Sequence, residues 1–219
     1  MKFLINEFFN NVSSQNGEDG INKKLLEFLD IKEGILLEIG ASDGFWFSNT
    51  ANLWKNNIDF KSILIECSAK LHKESLEKQY KNIECFPNEC ASLDNPLEKI
   101  IEKSRFTVTN DNFILASIDI DGDDLNVARS LHKYKPKILI IEPNGNIKEK
   151  TNKQGTTVLE YVTYFETENN GYTFLGMSGS PDHPYGNCYF IRNDLKNMFE
   201  ITQDPWEKRG VVSSTNEIY

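Results

Sequence analysis

The sequence predicts an α/β fold, a mostly parallel sheet flanked by helices, and three observations lead there. Short apolar runs of strand length alternate with charged, amphipathic stretches of helical period. Several of the runs end in an acid: Glu38, Glu66, Asp119 and Glu142. Turn-forming residues follow those acids, which places the carboxylates at the carboxyl edge of the sheet, where open α/β sheets bind ligands.

The 219 residues suit one domain. Its expected parts are an N-terminal lid and helix over 1–34, an α/β core over 35–203 and a polar tail over 204–219. With 33 acidic against 24 basic residues the net charge is -9, which disfavours nucleic acid as a partner. Cys67, Cys85, Cys90 and Cys188 form no C-x-x-C pair and have no zinc-finger spacing, so they read as reduced thiols. The opening MKFLINEFFNN is interrupted by Asn6 and Glu7 before a signal-peptide core develops, and no run approaches the roughly 20 apolar residues of a membrane span. The expectation is a soluble cytoplasmic protein with no membrane partner.

In chain order, SSQNGEDG is a turn-prone segment before a helix that carries Ile21, Leu25, Leu26 and Leu29 on one face. Gln15, Glu18 and Asp19 lie where they could fold over a ligand as a lid. Ile35–Gly44, ILLEIGASDG, is a buried strand followed by a tight turn at Gly40 and Gly44. Ser48, Asn49 or Thr50 is then available to cap the first crossover helix, and Phe45, Trp46, Phe47 and Trp54 read as packing. FKSILIECS is the second strand. Its Glu66 follows Gly40 at close to the roughly 20 residues that separate a glycine loop from a ribose-binding acid in a βαβ unit.

AKLHKESLEKQYKN reads as a charged helix, NIECFPNEC as a short third strand with Asn88 and Glu89 beyond it, and SLDNPLEKIIEKS as a helix with Pro96 at its first position. NFILASIDIDGDD is the fourth strand, closing on Asp119, Asp121, Asp123 and Asp124, too crowded to ionise without a cation, hydrogen bonds or solvent. LNVARSLHKY is a crossover helix. PKILIIEPNGN is a fifth strand ending at Glu142, with Asn144 near it. Two neighbouring strands thus present Asp119, Asp121 and Glu142 as oxygen ligands suited to magnesium, manganese or calcium. TVLEYVTYFETENNG is a helix stopped at Gly171, and YTFLGMS and NCYFIRNDL are strands that form an antiparallel pair at the sheet edge.

Counted from Gly40, the dinucleotide fingerprint G-x-G-x-x-G is broken, because Glu38 and Asp43 replace its outer glycines. The E-x-G-x-x-x-G form resembles the first motif of class I S-adenosylmethionine-dependent methyltransferases. Taken with SQNGEDG, SNTANLW, LIECS, SIDIDGDD, IIEPN and NCYFIRNDL, in that order, it makes most of the chain resemble the FkbM-type methyltransferases. The resemblance implies a Rossmann-like, seven-stranded sheet with the last strand antiparallel. It also implies S-adenosylmethionine as cofactor, with Glu38, Gly40, Asp43 and Gly44 at its methionine end, Glu66 on its ribose and Asn88 on its adenine. Gln15, Glu18 and Asp19 match the family's opening motif. Relatives often read I-D-V-E-G where this chain has I-D-I-D-G, so Asp121 keeps the carboxylate but shortens its reach.

Methyl transfer needs an aligned, deprotonated nucleophile. Asp119 and Asp121 are the candidate bases, or with Glu142 the ligands of Mg2+ or Mn2+. His183, in the turn-rich SPDHPYGN loop, is the other candidate base, whereas His132 falls in a helix where surface or packing roles prevail. The expected acceptor is a hydroxyl on a sugar or other small metabolite, with Trp46, Tyr185 and Trp206 available to a glycan, and a homo-oligomer stays open. The rival readings are a catalytically inactive binding module of the same fold and, less well supported, an NAD-dependent oxidoreductase.

Overall fold

The acid-tipped apolar runs form the middle of a seven-stranded sheet. The computed structural model describes residues 5–131, 133–143, 156–167, 170–179 and 186–199. Its strands are β1 (Gly34–Ile39), β2 (Phe60–Glu66), β3 (Ile83–Pro87), β4 (Phe113–Ile118), β5 (Ile138–Ile141), β6 (Tyr172–Met177) and β7 (Cys188–Arg192), arranged β3-β2-β1-β4-β5-β7-β6. β1 to β5 pair in parallel, and β7 runs antiparallel to both β5 and β6. The expected antiparallel pair is therefore present at the edge, with β7 inserted inside β6. Strand order reverses between β1 and β4. That reversal opens a crevice at the carboxyl ends of the strands, where such sheets take their ligands.

Strand periodicity divides the apolar side chains between two layers. On one face Leu36, Leu64, Leu115 and Ile140 pack against α1 (Glu18–Phe28), α2 (Ala51–Asn56) and α3 (Lys73–Gln79) through Ile21, Leu25, Trp54 and Leu76. On the other, Leu37, Ile63, Ala116 and Leu139 meet α4 (Leu97–Ile101), α5 (Asp124–Arg129) and α6 (Val158–Val162) through Ile100, Val127 and Tyr161. Both faces of the parallel strands are covered, which is why their sequences read as continuous apolar runs.

Several local expectations change. Pro96 is the residue before α4, not its first position, because its own backbone is extended (ψ 147°); Leu97 N–H finds its partner in Ser130 Oγ at 3.0 Å. The helix after residue 157 passes into a π-helical stretch over Thr163–Thr167, and Gly171 (φ 85°) stands at the turn into β6. Phe45 and Trp54 pack as expected, with Trp54 against Tyr80 at 5.0 Å between ring centroids, but Trp46 and Phe47 are 68% and 51% exposed. Asn144, His132, His183, Tyr185 and Trp206, and the tail from Asp204 to Tyr219, lie outside the described residues.

The cysteines divide into two kinds. Cys85 and Cys188 are buried free thiols, whereas Cys67 and Cys90 form a disulfide with their Cα atoms 4.4 Å apart. This overturns the reading of four reduced thiols. The parallel register sets Glu66 opposite Pro87, so the segments after β2 and β3 emerge side by side. Spacing along the chain carries no sign of that. Among the described residues no helix is long and apolar enough to cross a membrane.

Candidate cofactor and acceptor site

The site begins at the turn after β1. Gly40 (φ 80°) and Ala41 both donate their N–H groups to Ile65 O of β2 at 3.0 Å, so the turn folds onto the neighbouring strand. A side chain at Gly40 would collide with the carbonyl oxygen of Asp119 at the end of β4. Glycine is thus required there twice, for its dihedral angle and for the close approach of two strand ends. Gly44 (φ 89°) closes the turn by donating to Ala41 O at 2.7 Å. The exposed Asp43 accepts the N–H groups of Phe45 and Trp46 on Oδ1 at 2.9 and 2.8 Å. Asp43 therefore shapes the segment that leads into α2.

Glu66 stands across from this turn. Its Oε2 accepts Ser42 N–H and its Oε1 accepts Ser68 N–H, both at 2.8 Å. Ser42 has the unusual φ of 49°, and the carboxylate ties that strained turn to the end of β2. Each carboxylate oxygen keeps a further lone pair, and the side chain is only partly buried. Next to it Asn88, exposed and at φ 59°, donates its N–H to Ser68 O at 3.3 Å, and Glu89 N–H meets Glu66 O at 3.1 Å.

Glu38 is placed differently from Glu66. It is 4% exposed, and its oxygens accept Ser48 O–H at 2.6 Å, Thr50 O–H at 2.5 Å and Asn49 N–H at 2.7 Å. These bonds fasten the segment that starts α2 onto β1. Burial raises the Glu38 carboxyl to about 7, against the three hydrogen bonds that favour its ionised form, and the charge of Asp119 adds to the rise. From the same segment, Asn49 donates its side-chain amide to Ser117 Oγ of β4 at 2.9 Å and accepts Asn22 Nδ2 on its carbonyl at 2.8 Å. Tyr189 O–H of β7 then reaches Asn22 Oδ1 at 3.1 Å. One buried polar chain thus links α1, the β1–α2 segment, β4 and β7.

The opening motif sits beside that chain. Asp19 Oδ2 accepts the N–H groups of Val12, Ser13 and Ser14 at 2.7, 2.7 and 2.8 Å, and Ser14 O–H at 2.8 Å. Its Oδ1 is buried with no partner. Glu18, fully buried, accepts Ser178 O–H at 2.6 Å and Asn187 Nδ2 at 3.0 Å on one oxygen and Asn16 N–H at 2.8 Å on the other. The two acids hold residues 11–19 folded against the ends of β6 and β7, whereas Gln15 is exposed.

At the ends of β4 and β5, Asp119, Asp121 and Glu142 each bring one carboxylate oxygen within 4.8 Å of the other two. Burial raises the Asp119 and Glu142 carboxyls above the ordinary range. A hydrogen bond between them stabilises ionised Asp119 and protonated Glu142, and the charges of Asp121 and Asp124 raise both further. Glu142 Oε2 is buried without a partner. Asp124 makes this turn possible: its Oδ1 accepts Ile120 N–H at 2.9 Å and its Oδ2 accepts Gly122 N–H at 3.0 Å, bracketing Asp121 at φ 57°. The oxygen donors and the orphaned Oε2 fit a hard divalent cation that completes its shell with water.

Sequence reasoning located the carboxylates at the strand ends but missed the roles of Ser42, Ser48 and Thr50 in orienting them and of Asp124 in shaping the turn that carries Asp121. The chain matches no family model, and no curated protein matches it by sequence. Among solved structures it is similar to the CurJ carbon methyltransferase, at 11% identity and a TM-score of 0.52 over 80% of this chain and 52% of that one. It is also similar to the DszA carbon methyltransferase, at 12% identity and a TM-score of 0.52 over 85% of this chain and 55% of that one. The chain spans about half the length of either. The likeness shows that the chain shares the Rossmann-like fold of these two methyltransferases.

Proposed function

We propose that this protein is an S-adenosylmethionine-dependent O-methyltransferase of the FkbM type, acting on a hydroxyl of a sugar or another small metabolite. The observation that carries the reading is Glu66: a carboxylate at the end of β2, oriented by Ser42 and Ser68 and with lone pairs to spare, opposite the Gly40 turn. A ribose diol supplies two O–H donors at the spacing of a carboxylate's two oxygens. The Gly40 turn would hold the methionine end of the cofactor and Asn88 its adenine. Glu38 acts through the β1–α2 segment that it fastens, and Asp43 through the turn it shapes.

S-adenosylmethionine, when bound, would supply an electrophilic methyl group to the acceptor oxygen, which must give up its hydroxyl proton. Asp119 takes that proton: its raised proton affinity suits a base working near neutral pH, and the hydrogen bond from protonated Glu142 favours its ionised form beforehand. A divalent ion held by Asp119, Asp121 and Glu142 would supply the same help by acidifying the hydroxyl. The glycine pattern argues against nicotinamide chemistry, as Glu38 and Asp43 occupy the positions of the outer glycines. Acceptor oxygen, not carbon, is the reading from the FkbM resemblance; the two similar structures are both of carbon methyltransferases.

The test is calorimetric titration with S-adenosylmethionine, followed by transfer of a labelled methyl group to a panel of hydroxylated acceptors with product analysis. Binding and an O-methyl product support the reading. Binding without turnover across the panel favours an inactive module, and a C-methyl product replaces the oxygen acceptor by carbon.

A further inference from the structure

The disulfide stands at the rim of the proposed ribose and adenine site. Cys67 directly follows Glu66, and Cys90 follows Asn88 and Glu89. Between the two segments run two backbone hydrogen bonds, Asn88 N–H to Ser68 O and Glu89 N–H to Glu66 O. The segment after β3 has a second anchor, because Lys103 Nζ reaches Glu89 Oε1 at 2.6 Å. The segment after β2 has less before the buried Leu71: Ser68 N–H on Glu66, and Lys70 N–H on Ser68 Oγ at 3.3 Å. The bridge is thus the covalent constraint on the side of the rim that supplies an N–H to the Glu66 carboxylate.

Both bridged cysteines are exposed, whereas Cys85 and Cys188 are buried. A reductant meets the bridge and not the other two. Burial also pushes the Cys85 thiol up to about 12, so it is a poor nucleophile for reshuffling.

We propose that the Cys67–Cys90 bridge is a reducible latch on the cofactor site: closed, it holds the Glu66–Ser68–Asn88 rim ready for the nucleoside, and opened by a dithiol it lowers cofactor affinity. The inference rests on the methyltransferase reading above and adds regulation to it. One thiolate of the dithiol attacks a bridge sulfur, the second thiol resolves the mixed disulfide, and two electrons and two protons pass to the protein. The products are two cysteine thiols and the oxidised dithiol. Affinity falls because the freed segment must be ordered at the moment of binding.

The test titrates S-adenosylhomocysteine, which cannot react, into the oxidised protein, the dithiothreitol-reduced protein and the Cys67→Ser/Cys90→Ser variant. The expected result is binding to the oxidised form and about tenfold weaker binding to the other two. Reoxidation restores the wild type and leaves the variant weak. Amide exchange at residues 67–72 quickens on reduction while exchange in β2 and β3 does not, which separates a loosened rim from general unfolding. Equal affinity in all three forms overturns the latch and leaves the cofactor reading intact. No binding to the oxidised form overturns both. Four reactive thiols in the denatured, unreduced protein, where two are expected, overturn the latch alone.

Discussion

Glu66 Oε2 accepts Ser42 N–H at 2.8 Å, and this bond joins two elements that are 24 residues apart. It makes a turn at the end of one strand and a carboxylate at the end of the next a single rigid unit. Its partner bond, Oε1 to Ser68 N–H, uses the second oxygen in the same way.

The first prediction follows from that symmetry. Glu66→Gln is not conservative, because an amide has one acceptor oxygen and its NH2 group must then face an N–H donor. Both Glu66→Gln and Glu66→Ala are expected to weaken S-adenosylhomocysteine binding by about 10–100-fold. Since the side chain is only partly buried, the melting temperature should move little. Titration calorimetry beside thermal melts checks this, and a Gln variant that binds like wild type would remove Glu66 from the ribose.

Glu38 predicts a pH dependence of stability. Its folded carboxyl titrates at about 7, above the 4.5 of the free group, so the folded protein binds a proton that the unfolded chain has already lost over that window. The contribution is present in full below about 4.5 and is lost as pH rises to about 7, a total of roughly 3 kcal/mol. Glu38→Gln should lessen the fall in the denaturation midpoint measured from pH 5 to 8. Glu38→Ala should be destabilised throughout, since Ser48, Thr50 and Asn49 lose their common acceptor.

At Gly40 the prediction is steric. Alanine meets the Asp119 carbonyl at a φ of 80°, so Gly40→Ala should cost roughly 2–4 kcal/mol and displace the end of β4. Chemical denaturation gives the first quantity. A Gly44→Ala variant is the comparison: its Cβ meets only side-chain atoms of Leu76, Leu64 and Leu71 at 3.3–3.4 Å, so it bears the φ strain with a milder clash.

The fold was legible because buried parallel strands write themselves as apolar runs, and because acids such as Glu38 and Glu66 mark the strand ends. The use of those two acids was not legible. Glu38 and Glu66 look alike in sequence, each closing a strand, yet one is sealed under Ser48 and Thr50 and the other stands half open beside Ser42. Burial is set by what folds over the strand end, and one chain does not announce it. Asp124 reads as one acid in a crowded run, but the run divides: Asp124 holds two backbone N–H groups, while Asp119 and Asp121 each bring an oxygen within 4.8 Å of Glu142. The Cys67–Cys90 bridge is invisible for a related reason, since parallel register, not spacing, brings the two together.

The strand-end carboxylates give the last prediction. Asp119 and Glu142 are both raised by burial and by neighbouring acids, so in the absence of a cation they favour the folded state while protonated and penalise it as pH rises through their range. A divalent ion must displace their shared proton, so its affinity rises with pH and its binding offsets that penalty. Melts of the protein with and without Mn2+ should therefore coincide near pH 5.5 and separate progressively by pH 8.5. Glu142→Gln, which keeps the volume and removes one charge, should raise stability at high pH and abolish the separation. Melts that coincide at every pH would assign the pair to proton transfer without a metal, and an Asp119→Asn variant would then lose turnover while keeping cofactor affinity.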